Sequence, residues 1–190
     1  MADGKTLNVL TICGSLRKGS YNAALVRALP PLAPEGMRLV AAPPFDTMPL
    51  YNFDLQEASG FPAEVTTWCD AIRAADGVLI VSPEYNFSIP GGLKNAIDWA
   101  SRLKDQPFKD KPVAMQSAAG GLLGGARMQY QLRQCLTGID VLLFGRPEVF
   151  VSFAAQKFDA KTLELTDQTA RDLIKQQLAA FAAFIRQLSG

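Results

Sequence analysis

Short apolar runs, each closed by glycine, proline or a polar turn and each followed by a helical stretch, recur along these 190 residues. The runs are residues 7–13, 37–41, 77–82 and 113–117, with a broken fifth made of 141–144 and 149–151. Helices are predicted from the Ser20 cap through Asn22 and Ala23 towards Leu29, where Pro30 and Pro31 stop the chain. Others are predicted over 62–75, with Pro62 at the first position, over 92–103, from the glycines at 120–125 through Arg133 to Leu136, and over 167–188. Nearly continuous apolar runs suit strands covered on both faces, which is the pattern of a parallel sheet. Alternation of strand and helix therefore predicts an α/β chain, a three-layer sandwich with a five-stranded parallel sheet in the middle. Residues 1–190 read as a single domain. Right-handed crossovers restrict the topology, and a ligand is expected outside the carboxyl ends of the strands. Residues 43–62, rich in Pro, Asp, Asn and Gly, read as one long loop.

Composition narrows the chemistry. Apolar residues are 48% and charged residues 19%, with 19 basic and 18 acidic side chains, so neither disorder nor a nucleic-acid surface is indicated. No stretch approaches the ~20 apolar residues of a membrane span, and residues 1–5 lack a secretory leader's pattern, so a cytoplasmic protein is expected. The cysteines, at 13, 69 and 135, are spread apart without a C-x-x-C pair and read as free buried thiols. There is no histidine, hence no histidine base, histidine triad or imidazole metal site, and no metal ligand set is expected. An enzyme built this way leaves the hard chemistry to a cofactor.

The first loop reads Gly14-Ser15-Leu16-Arg17-Lys18-Gly19-Ser20-Tyr21-Asn22. A strand-to-helix turn presents N–H groups to an anion. Ser15, Ser20 and Asn22 add short polar groups, and Arg17 adds a guanidinium fork suited to a terminal phosphate. Two familiar phosphate loops do not fit. Ser20 stands where a Walker A lysine belongs, and Leu16 occupies the second glycine of a dinucleotide fingerprint. A mononucleotide phosphate is the better match. A plain turn capped by Ser20 would leave Ser15, Arg17 and Asn22 without a purpose.

After the third strand come Pro83, Glu84, Tyr85 and Asn86, which can offer backbone groups and an aromatic wall to a planar ring, or form an ordinary polar loop. After the fourth come Ser117, Gly120 and Gly121, followed by Gly124 and Gly125. Glycines let a flat ligand lie against the backbone, although a flexible turn has the same composition. Trp99 and the apolar stretch 178–185 read as core or interface.

These three motifs, in this order, resemble the NADPH-dependent FMN reductases, and within them the bacterial quinone and chromate reductase branch. The resemblance covers nearly the whole chain. It implies a flavodoxin-like fold with strand order 2-1-3-4-5 and non-covalent FMN, with NADPH or NADH as co-substrate. It places Ser15, Arg17, Ser20 and Asn22 on the phosphate. Pro83, Glu84, Tyr85 and Asn86 go to one side of the flavin, and Ser117, Gly120 and Gly121 to the other. It also implies ping-pong hydride transfer from the nicotinamide through the flavin to a quinone, chromate, nitro or azo acceptor, with no protein nucleophile. A homodimer or homotetramer follows, with Arg127, Tyr130 and Glu148 at its interface. The alternatives are an electron-carrier flavodoxin, against which the near-neutral charge and Arg17 argue, a redox-sensing flavoprotein, and a flavin reductase feeding a monooxygenase.

Overall fold

The computed structural model describes residues 5–188. Its sheet contains β1 (Leu7–Cys13), β2 (Met37–Ala41), β3 (Gly77–Val81), β4 (Pro112–Ala118), β5 (Leu142–Leu143) and β6 (Val149–Val151). All pairings are parallel, in the order β2-β1-β3-β4-β5, and β6 also pairs with β4. The broken fifth strand is therefore two pieces on one edge. β5 meets Pro112 and Val113 at the start of β4, and β6 meets Gln116 to Ala118 at its end.

Side chains alternate between two cores. Leu7, Val9, Leu79, Val81 and Ala114 face α1 (Tyr21–Ala28) and α6 (Gln168–Leu188). Leu10, Ile12, Val78, Ile80, Val113 and Met115 face α3 (Ala63–Ala74), α4 (Gly91–Ala100) and α5 (Ala126–Thr137). Burying each Leu, Ile or Val contributes about 1.5–3 kcal/mol, so a strand buried on both faces, such as β3, secures the centre of the sheet. Trp68 and Trp99 both lie wholly within the second core. On the other face a buried glutamine pair crosses from sheet to helix, Gln116 Nε2 donating to Gln177 Oε1 at 2.9 Å.

The stretch predicted as one loop over 43–62 contains α2 (Phe53–Ser59). Its N-cap is Asn52, which accepts from Asp54 N, and it stops at Gly60 with φ 73°. None of its residues is buried, so it offers no apolar stripe to reveal it. The loop is also not loose. Asn95 Oδ1 accepts from Tyr51 N, while Asn95 Nδ2 and Trp99 Nε1 both donate to Pro49 O. Among the described residues no helix is long and apolar enough to cross a membrane.

Candidate active site

The loops after β1, β3 and β4 meet at the carboxyl edge of the sheet and enclose a cleft of about 290 Å³. The first loop begins where Gly14 N donates to Val81 O at 2.8 Å. A Cβ on Gly14 would collide with Ser82 Oγ, so only glycine lets β1 leave the sheet against β3. Ser20 then caps α1, its hydroxyl accepting from Asn22 N and Ala23 N. The N–H groups of Ser15, Leu16, Lys18, Gly19 and Tyr21 have no acceptor among the described residues. Together with the helix N-terminus they form a concave set of donors suited to an anion. Arg17 reaches over this set, its Nη2 donating to Gly19 O at 2.8 Å.

The third-strand loop turns sharply at Tyr85–Ser88, where Tyr85 N donates to Ser88 O and Ser88 N to Tyr85 O. Asn86 and Phe87, in the middle, have φ of 50° and 67°. That is the mirror-image turn in which both central residues are left-handed, a conformation costly for phenylalanine. The guanidinium of Arg127 lies 3.9 Å from the Phe87 ring centre and donates to Glu84 Oε1 at 3.3 Å. Glu84 Oε2 accepts from Met128 N at 3.3 Å, in the first turn of α5. The carboxylate is thus held by a cation and a helix N-terminus together.

In the fourth-strand loop the glycines divide into two kinds. Gly124 and Gly125 have φ of 58° and 93°, and a Cβ on Gly125 would lie 2.7 Å from Ser117 Cβ. These two are required by the backbone. A Cβ on Gly120 or Gly121 would meet nothing within 4 Å. Both have N–H groups without an acceptor among the described residues. Their bareness keeps open space over the end of β4.

A family model for the NADPH-dependent FMN reductases matches residues 7–156. The chain belongs to that family. It is 49% identical to a quinone reductase of Escherichia coli (strain K12), over 96% of this chain and 97% of the other. It is 48% identical to an NAD(P)H-dependent FMN reductase of Pseudomonas aeruginosa, over 97% and 98%. Among solved structures it resembles FerB, a flavoenzyme NAD(P)H:(acceptor) oxidoreductase of Paracoccus denitrificans, with a TM-score of 0.84 at 32% identity, covering 95% of this chain and 98% of the other.

Within this FMN reductase chain, Ser15, Arg17, Ser20, Asn22, Pro83, Glu84, Tyr85 and Gly120 line one cleft. Gly121 lines an adjoining cavity of about 500 Å³ with Glu84, Ala119 and Arg127. Asn86 is exposed at the tip of its turn. Ser117 does not reach the cleft: it is fully buried, donating to Gly124 O at 2.7 Å and accepting from Gln129 Nε2 at 2.8 Å. Asn22 has most of its capacity committed, since its Nδ2 donates to Ala118 O and its Oδ1 accepts from Ala118 N, both at 2.9 Å. The motifs overlooked Tyr21, Ala118 and Ala119, which also line the cleft. Their place between motif residues was the available signal.

Of the residues expected at a subunit interface, Arg127 pairs with Glu84 and Glu148 pairs with Arg133 at 3.3 Å inside the same chain. Tyr130 is 55% exposed. All three cysteines are free, but only Cys69 is buried, while Cys13 and Cys135 are half-buried. Burial pushes the Cys69 thiol up to about 12, and it pushes Cys13 up against the opposing pull of the Ser15 backbone and of Arg27. Neither environment favours the reactive thiolate.

Proposed function

We propose that this chain is an FMN-dependent NAD(P)H oxidoreductase that reduces quinones and related small electrophiles, with chromate, nitro and azo compounds as further acceptors of the same site. The observation that carries this reading is the meeting of an anion-shaped loop with a bare glycine floor at one sheet edge. The cleft suits FMN in both halves. Free N–H groups and Arg17 match a terminal phosphate, and the space over Gly120 and Gly121 matches a flat ring that a side chain would displace.

When bound, FMN supplies two-electron chemistry between nicotinamide and acceptor. The protein's part is to bind and orient. Ser15, Arg17 and Ser20 would hold the phosphate end, with Asn22 lining it while bonded to Ala118, and Arg17 would exchange its bond to Gly19 O for one to the phosphate. Pro83, Glu84 and Tyr85 bound one side of the ring, with Asn86 at the mouth. Gly120 and Gly121 offer N–H groups from the other side, where they favour negative charge. Ser117 contributes from beneath, through the turn it holds. Arg127 and the α5 N-terminus balance the Glu84 charge, so the loop can lie beside an electron-rich ring. A second copy of the chain would dock at Arg127, Tyr130 and Glu148 in a homodimer or homotetramer, a reading that the exposure of Tyr130, one helical turn from Arg127, supports. On this reading the described residues, built on one sheet, work as a single domain in the cytoplasm.

The test is an anaerobic titration of FMN-loaded protein with NADPH and NADH, followed by a quinone. Bleaching of the flavin's visible absorbance on addition of either nicotinamide, and recovery on quinone addition, is the expected result. Bound FMN that neither nicotinamide bleaches would refute the reductase reading and leave a carrier or sensor.

A further inference from the structure

Gln129, in the first turn of α5, is polar yet fully buried, and it does not line the cleft. Its Nε2 donates both to Ser117 Oγ at 2.8 Å and to Val149 O at 2.9 Å. The direction of this chain is forced. Val149 O can only accept, so the amide must face it with its NH2 group. The Ser117 hydroxyl spends its hydrogen on Gly124 O, so its oxygen must accept from Gln129. Gln129 Oε1 is left buried without a partner. A glutamine that strands its own carbonyl is a poor choice for packing alone, because a buried unpaired acceptor is destabilising.

What the chain of bonds reaches is the glycine loop. Gly124 is held through its carbonyl by Ser117, and its N–H donates to Gly121 O at 3.3 Å. Gly121 O also accepts from Phe153 N at 3.3 Å. Gly125 packs directly on Ser117. Gly120 and Gly121 themselves have open space where a Cβ would stand, so no side-chain packing of their own sets their height above β4. Backbone bonds from Ala119 N to Val151 O and from Ala154 N to Ala119 O tie the loop to β6 and the turn after it, and from below it is supported along Val149 O, Gln129, Ser117 and Gly124.

We propose that Gln129 is a positioning residue for the cofactor. Acting through Ser117, it fixes the Gly120 and Gly121 N–H groups where they meet the flavin, and so sets FMN affinity and the potential of the bound flavin. This rests on the FMN reading above. Donors beside the ring hold its electron-rich reduced form more strongly than the oxidised form. Loosening them therefore weakens binding of both forms, the reduced form more.

The experiment compares wild type, Gln129→Leu, Ser117→Ala and the double variant as holoproteins. It measures the FMN dissociation constant by fluorescence, the two-electron midpoint potential, and the melting temperature. Each single variant is expected to raise the dissociation constant about tenfold and, with a further tenfold loss for the reduced form, to lower the potential by about 30 mV. The double variant should be no worse than the worse single, because both cut one chain. Ser117→Ala removes only a hydroxyl and keeps the test alive if Gln129→Leu does not fold. A fall in melting temperature with unchanged potential would make the network structural only and overturn the proposal. Additive losses in the double variant would overturn it as well. Absence of FMN binding by the wild type would instead refute the cofactor reading itself.

Discussion

Asn22→Leu tests how the cleft is held together. β3 ends at Val81, and its last link to β4 is Ser82 N donating to Gln116 O. β4 continues to Ala118. Alternate residues of a parallel strand bond to opposite neighbours, so Ala118 presents its N–H and C=O on the side that β3 has vacated. Asn22 supplies both partners, at 2.9 Å each, from a side chain only 2% exposed. Its carboxamide stands in for the backbone of the missing strand. Leucine has nearly the same shape and neither group. It would leave an N–H and a C=O buried and unpaired, at about 1–3 kcal/mol each. The expected loss is about 4 kcal/mol, or about 8–16 °C in melting temperature for a chain of this size. Thermal and urea unfolding of the apoprotein would measure it, and a loss below about 1 kcal/mol would refute the strand-substitute argument. Asn22→Asp adds a pH signature. The carboxylate still accepts from Ala118 N but opposes Ala118 O, so burial and that carbonyl raise its folded pKa. A raised folded pKa means that protonation stabilises the fold, an effect complete below the unfolded value of about 3.9 and lost as pH rises through the folded value. The deficit of Asn22→Asp against wild type should therefore shrink as pH falls, and a flat deficit would contradict the geometry.

Three further outcomes follow from the site and its frame. Arg17→Ala should weaken FMN binding by about 1.5–3 kcal/mol, the worth of a hydrogen bond to a charged group, and unchanged affinity in a fluorescence titration would remove Arg17 from the phosphate site. Gly120→Val should leave the apoprotein's melting temperature near wild type while abolishing FMN occupancy, because its side chain enters open space; Gly125→Ala should instead destabilise the fold, since φ is 93° and Ser117 is in the way. Calorimetry and cofactor content together distinguish the two, and equal behaviour would refute the division of the glycines. Asp76→Asn should destabilise at neutral pH. Burial raises the Asp76 pKa, but the Lys5 and Asn8 hydrogen bonds and the Lys5 and Lys111 charges outweigh it and hold it below the ordinary 3.8. Its stabilisation is present above that value and is lost as pH falls through the folded pKa, so wild type and variant should converge in acid melts.

The features legible from sequence are those whose cause is local. Apolar runs that read as doubly covered strands form the sheet, and the order β2-β1-β3-β4-β5 agrees with what the family resemblance implied. The capping serine at 20 and the glycine loop also stand where their chemistry placed them. α2 went unread because none of its residues is buried, although its caps Asn52 and Gly60 were visible. Residue type and motif spacing were enough to bring eight of the expected residues to one cleft: Ser15, Arg17, Ser20, Asn22, Pro83, Glu84, Tyr85 and Gly120.

The functions of individual polar groups were decided elsewhere. Whether Asn22 faces a ligand or a strand depends on β3 ending before β4, a matter of register between segments far apart in sequence. Ser117 lies beneath the cleft because α5 brings Gln129 over it. Arg127 meets Glu84 because α5 starts beside the third-strand loop. The four glycines of one loop divide into backbone necessity and open floor only once Ser117 and β6 are packed against two of them. Local sequence determines which segments pair and which loops carry polar chemistry, because propensity and periodicity act over a few residues. Hydrogen-bond partners across the fold are chosen by where strands end and helices dock, and those distances exist only in the folded chain.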